Sequence, residues 1–210
     1  MKSYSQYGEE SVILSFFNNT KHGCLVDVGA ADGITNSNSR YLIENLEWSG
    51  ILIEPHPKFY ESLVSLYEKN PNIVVQNIAL HNHVGEMPFY AYGFNVHENA
   101  QVSTLSEAFK ERVVKLYGNR YESSILVKVN TLSNILKTVE KCDFLSIDCE
   151  GVDMHVLQSN DWSLYRPGLV CVEHSMPIHE LDEYMISQTY KLHTRTGGNS
   201  FYSDSMKVSI

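Results

Sequence analysis

Five short apolar runs recur along the chain, most of them followed by a stretch with helical spacing, and this alternation constrains the fold most. The runs are CLVDV (24–28), GILIE (50–54), NIVVQNIAL (72–80), DFLSID (143–148) and GLVCVEH (168–174). A strand with one wet face alternates apolar and polar residues; near-continuous apolar runs belong to strands covered on both faces. Between them, 9–19 places Val12, Ile13, Phe16 and Phe17 at helical spacing, and 35–46, 58–70, 132–141, 152–160 and 179–189 read as further helices, with Thr35 or Asn36 as cap of the second. Segments 83–92 and 125–131 have strand character, and 106–118 is a helical patch. The tail fits a hairpin around Gly197-Gly198, which implies at least one antiparallel edge strand. The expected fold is an α/β sandwich around a mostly parallel sheet.

A chain of 210 residues, 43% apolar and 20% charged, fits a single domain over 1–210. Within it, a helical cap (about 1–22) and a lid-like insertion (about 93–123) flank the alternating core. No apolar run reaches membrane-spanning length, and the N-terminus lacks the apolar core of a signal peptide, so no membrane span and a cytoplasmic location are expected. The net charge is −9 and no two Lys or Arg are adjacent, which disfavours nucleic acid as a partner. Cys24, Cys142, Cys149 and Cys171 form no CxxC pair and sit in or beside apolar runs, as buried reduced thiols do.

In sheets of this kind, ligands bind outside the carboxyl ends of the strands. That rule sorts the polar residues: Asp27/Gly29, Glu54, Gln76/Asn77, Asp148/Glu150 and Glu173/His174 belong on one edge. VDVGAADG (26–33) is a strand, a small-residue turn and a helix start. Its GxxxG spacing breaks the dinucleotide pattern GxGxxG, because Ala31 stands at the second glycine position. Asp27 and Asp32 would repel a pyrophosphate, which disfavours NAD. Glu54 ends the next strand 21 residues past Gly33, where an acid accepts hydrogen bonds from a ribose diol. An acidic, phosphate-averse turn with a distal acid points to S-adenosylmethionine.

SIDCEG (146–151) sets two carboxylates at the end of an apolar strand, where burial is costly unless they are paired. Asp148, Glu150, Glu173 and His174 are the candidates to position an acceptor or take its proton; His174 titrates nearest neutrality. Glu150 is also placed to favour a helix N-terminus. Asp148, Glu150 and Glu173 are hard oxygen ligands suited to Mg²⁺ or Ca²⁺. SQYGEE (5–10) offers Gln6 and Glu9 to fold over a ligand, or else a capped helix start. The insertion, with Asn95, His97, Ser103 and Tyr117, is the expected acceptor lid.

SQYGEE, VDVGAADG, SNS (37–39), WSGILIEPHP (48–57), IDCEG (147–151) and VEH (172–174), in this order, resemble the FkbM-type S-adenosylmethionine-dependent methyltransferases. The resemblance implies a class I methyltransferase (Rossmann-like) fold with a seven-stranded sheet whose last strands are antiparallel. It implies methyl transfer to a hydroxyl of a sugar, glycan, glycolipid or secondary metabolite, with S-adenosylhomocysteine as product. It also implies that Gly29, Asp32, Glu54 and the residues near Asn77 line the cofactor site. The candidate cofactor residues are Gln6, Glu9, Asp27, Gly29, Ala30, Asp32, Gly33, Asn38, Glu54, Pro55, Asn77, Ala79 and Asp148. Two departures stand out: Asp153 where the family often has Glu, and Ala31 where many members have Asn. The competing readings are a catalytically silent module that keeps the fold, and a nicotinamide-dependent oxidoreductase.

Overall fold

The computed structural model describes residues 3–92 and 100–206. Its main sheet has seven strands: β1 (Cys24–Val28), β2 (Ser49–Ile53), β3 (Ile73–Gln76), β7 (Phe144–Ile147), β8 (Leu169–Glu173), β9 (Tyr190–Arg195) and β10 (Asn199–Asp204). They lie in the order β3-β2-β1-β7-β8-β10-β9. The first five are mutually parallel; β10 runs antiparallel to β8 and β9 and sits one place in from the edge, which β9 forms. The strand order reverses direction at β1, between β2 and β7. That switch point is where the carboxyl ends of the strands open a crevice.

Side-chain alternation sorts each apolar strand onto two covered faces. Val26, Val28, Leu145, Ile147, Val170 and Val172 pack in one core with residues of α5 (Leu132–Leu136), α6 (Asp153–Gln158) and α7 (Ile178–Ser187). Leu25, Leu52, Phe144, Leu169 and Cys171 pack in the other with α1 (Glu9–Phe16), α2 (Arg40–Leu46) and α3 (Pro57–Tyr67). Each such side chain contributes at most roughly 1.5–3 kcal/mol by leaving water. All four cysteines are unpaired thiols; Cys142 and Cys171 are buried, whereas Cys24 and Cys149 are only half-buried. No helix among the described residues is long and apolar enough to cross a membrane.

The sequence pattern misses a second sheet. The run 72–80 is two strands: Gln76 ends β3, and β4 (Ala79–Leu80) leaves the main sheet. β4 pairs with β6 (Tyr121–Asn130), which pairs antiparallel with β5 (Gly85–Tyr92). Ala79, Phe89, Ala91, Val127 and Val129 form a third core under this sheet with Leu105 and Val152. β6 starts inside the expected lid, as does α4 (Glu107–Tyr117), whose N-cap Ser106 accepts from Phe109 N. The lid candidates Asn95 and His97 lie outside the described residues. α2 starts at Arg40, later than expected, because 32–39 form turns.

Candidate active site

The β1 turn is built by close approach. Gly29 has φ 86°, and a Cβ there would sit 1.8 Å from the Asp148 carbonyl oxygen, so the crossing of the β1 and β7 ends requires glycine. Gly29 N and Ala30 N both donate to Ile53 O. Ala31 is left-handed, at φ 48°, and its N–H donates to Glu54 Oε2 at 2.9 Å. Glu54 Oε1 accepts from His56 N at 2.7 Å, so the carboxyl is fixed by two backbone donors. Burial pushes its pKa up to about 7. Within β1, Asp27 accepts from Ser39 Oγ at 2.6 Å, and burial raises its pKa to about 6.

The β7 turn carries the second acidic group. Asp153, fully buried, accepts from Cys149 N at 2.8 Å, from Gly151 N at 3.2 Å and from the Ser175 hydroxyl. It thereby folds the chain through two left-handed residues, Glu150 (φ 51°) and Gly151 (φ 96°). Thr104 Oγ1 donates to Glu150 O, tying the turn to the segment before α4. Glu150 does not cap α6, which has no side-chain cap; its carboxyl turns into the crevice instead. Carboxylate oxygens of Asp148, Glu150 and Glu173 lie within 4.8 Å of one another. Burial, then mutual repulsion, raises all three pKa values: Asp148 well above its usual range, Glu150 to about 9 and Glu173 to about 8.

Both turns open into one cavity of about 570 Å³. Gln6, Tyr7 and Glu9 close one side, Tyr117 and Arg120 another, and Phe59, Ala79, Leu80 and Phe89 supply apolar wall. Six carboxylates line it (Glu9, Asp27, Glu54, Asp148, Glu150, Glu173) against one cation among the described residues, Arg120. Such a cavity suits a cationic or hydroxylated ligand and opposes an anionic one.

Residues 27–192 match the family model described as the methyltransferase FkbM domain. The chain belongs to the FkbM methyltransferase family. Its fold is the class I methyltransferase sandwich, as the seven-strand order and the structural likenesses show. The chain is similar to the crystal structure of a methyltransferase FkbM from Methylobacillus flagellatus KT, with 16% identity and a TM-score of 0.56 over 88% of this chain. It spans 44% of that protein's chain. It is also similar to a precorrin-6y C5,15-methyltransferase from Geobacter metallireducens GS-15 (10% identity, TM-score 0.48, covering 92% of this chain and 86% of that one). A third likeness is to M. capricolum TrmK in complex with S-adenosylhomocysteine (12% identity, TM-score 0.47, covering 88% and 63%). No protein of curated function matches the sequence.

In this FkbM-family chain the expected site residues divide by position. Gln6, Glu9, Asp27, Gly29, Ala30, Asn38, Glu54, Pro55, Ala79, Asp148, Glu150 and Glu173 line the cavity, as do Ser103 and Tyr117 of the expected lid. Asp32, Gly33, Asn77 and His174 do not. Asp32 accepts from Ile34 N, Thr35 N and Thr35 Oγ1, so it shapes the turn. Asn77 Nδ2 donates to Glu54 O and Pro55 O and braces the end of β2. His174 Nε2 lies 2.8 Å from Ser200 Oγ, away from the crevice. Arg120, Tyr92 and Gln101 are cavity residues with no sequence signal of their own: Tyr92 ends β5, Gln101 lies in the turn before α4, and Arg120 lies in the link from α4 to β6.

Proposed function

We propose that this FkbM-family chain is an S-adenosylmethionine-dependent O-methyltransferase acting on a hydroxyl of a sugar, glycan, glycolipid or secondary metabolite. One observation carries the reading: the glycine turn with Glu54 and the Asp148–Glu150–Glu173 group share one acidic cavity at the switch point. When bound, S-adenosylmethionine supplies an electrophilic methyl group on a cationic sulfur. Glu54, pinned by two backbone donors, keeps lone pairs for ribose hydroxyls. Phe59, Ala79 and Leu80 offer the apolar surface that a purine ring covers. Asp27 and Glu9 supply negative charge for an ammonium group.

At the other end, Asp148 receives the acceptor's hydroxyl hydrogen bond and then its proton at a carboxyl oxygen. The cationic ligand draws that carboxyl toward its ionised form, against the burial that keeps it protonated. Asp148 is favoured over His174 because it lies on the cavity wall and His174 does not. Holding the two reactants in line contributes several kcal/mol, and a base within reach adds about 10²–10⁴-fold. The test is calorimetry with S-adenosylmethionine and S-adenosylhomocysteine, followed by a mass-shift screen of saccharide and metabolite acceptors. Asp148→Asn is expected to lower turnover about 10²–10⁴-fold while leaving S-adenosylhomocysteine affinity nearly unchanged. If neither nucleoside binds the folded protein, the reading is lost.

A further inference from the structure

We infer that Arg120 selects an acceptor carrying an anionic oxyacid group, a carboxylate or a phosphate, apart from the hydroxyl that is methylated. This role rests on the proposed function, whose acceptor class it narrows.

Charge in the cavity is sorted by depth. Glu9, Asp27 and Glu54 are buried and Glu150 and Glu173 half-buried, whereas Arg120 lines the cavity from an exposed position. The interior therefore repels an anion, and the lip holds the one point among the described lining residues that attracts it. Burial and mutual repulsion raise Glu150 to about 9 and Glu173 to about 8, so both are largely protonated at neutral pH. The interior thus opposes a remote anion less than six ionised carboxylates would.

Arg120 also differs from the other four arginines in having no task inside the protein. Arg40 pairs with Glu44, Arg166 with Asp204 and Arg195 with Asp182. Arg112 lies over the Phe109 ring, 5.5 Å from its centroid. Arg120 forms no ion pair, hydrogen bond or ring contact with the described residues, which leaves its five donors for a ligand.

Its backbone is nonetheless held on both sides. Gly118 N donates to Val114 O at 2.9 Å and closes α4, and Tyr121 N donates to Asn119 Oδ1 at 3.1 Å. The Tyr121 hydroxyl donates to Val102 O at 2.8 Å, and its ring meets Tyr92 edge-on at 4.9 Å. Val102 and Tyr92 are themselves cavity wall. A planar guanidinium on a fixed support loses less freedom when it grips an oxyanion. Tyr117, also on the wall and 67% exposed, sets an aromatic face in the same stretch. The cavity is polar from end to end, so such an acceptor fits one way round. Its hydroxyl goes inward to Asp148 and its oxyanion stays outside, paired bidentately with Arg120. Carboxylate and phosphate offer a guanidinium the same two-oxygen edge, and the experiment tells them apart.

The experiment is calorimetry on the full chain saturated with S-adenosylhomocysteine and titrated with glucose, glucuronate and glucose-6-phosphate. These probes share one ring and differ only at the exocyclic carbon, as hydroxyl, carboxylate or phosphate ester. At least one anion is expected to bind about tenfold or more tighter than glucose, and the tighter of the two names the oxyanion. Arg120→Met keeps the apolar stem and removes no contact within the described fold. It is expected to cut that preference about 10–100-fold, and Arg120→Lys to recover part of it, since an ammonium lacks the fork. Glucose binding as tightly as both anions, no binding by either anion, or a preference that Arg120→Met keeps in full overturns the inference. A chain that binds no S-adenosylhomocysteine removes the methyltransferase reading, and this role with it. One that binds it without any anion preference removes the role of Arg120 alone.

Discussion

Ala31 occupies a left-handed backbone position, φ 48°, beside the Gly29 turn. That conformation costs an L-residue with a Cβ roughly 1–2 kcal/mol. Glycine there would relieve the strain at the expense of a more mobile unfolded chain, worth about 0.4–1 kcal/mol. Ala31→Gly is therefore expected to raise stability by roughly 0.5–1 kcal/mol in urea denaturation. A loss instead would show that the Ala31 methyl group is packed in a way the strain argument ignores. The same scale explains which acids were legible. Asp148, Glu54 and Glu173 each end a continuous apolar run, so the strand-end rule placed them on the crevice edge. Glu173 and His174 were read together, yet neighbours on a strand face opposite sides. Glu173 takes the cavity side, and His174 meets Ser200 of β10. Only the arrival of β10 decides which neighbour goes which way, and that is not a local property.

Among elements, the N-terminal strap shows how distant segments complete the cavity. Gln6 and Tyr7 line the cavity before α1 begins, and the Tyr7 ring packs on Gly197 and Gly198, where an added Cβ would lie 3.0 Å away. Glu9, fully buried, accepts from Thr196 Oγ1 at 2.6 Å, Asn199 Nδ2 at 3.2 Å and Tyr7 N at 2.7 Å. Every one of these donors meets an acceptor-only carboxylate; an amide would turn one NH₂ toward a donor. Glu9→Gln is expected to cost about 1–3 kcal/mol in strap docking. It should speed chymotryptic cleavage at Tyr4 and Tyr7 and weaken nucleoside binding severalfold, and unchanged cleavage would show that the latch does not hold the strap. SQYGEE stood out in the sequence, but its partner 190 residues away did not. β1, β2, β7 and β8 of the main sheet were readable because both faces are apolar; the β4-β6-β5 sheet was not, because its strands read as strands without saying which sheet they join.

At the scale of the whole molecule, the cavity stores unfavourable charge. Asp27 and Glu54 have folded pKa values of about 6 and about 7, against ordinary values of 3.8 and 4.5, in each case because burial penalises the ionised form. Between pH 4 and 7 the folded chain thus holds protons that the unfolded chain has released. Stability contributed by these two groups is full below pH 4, falls as pH rises through the window, and levels off above about 7. The summed effect is on the order of a few kcal/mol. Denaturant melts of the ligand-free protein should accordingly show lower stability at pH 7.5 than at pH 5, with Asp148, Glu150 and Glu173 adding to the fall, and Glu54→Gln should remove only the share that Glu54 contributes below about pH 7. A hydroxylated, cationic ligand reverses the preference, because it favours ionised Glu54 and Asp27. Nucleoside affinity is then expected to rise with pH from about 5.5 to 7.5, with proton release detectable by calorimetry in buffers of different ionisation heat. An affinity flat across that range, with Glu54→Gln behaving as wild type, would place the ligand's hydroxyl and charge away from these acids. The carboxylates that cost the free protein stability are in this view what gives its ligand a reason to bind.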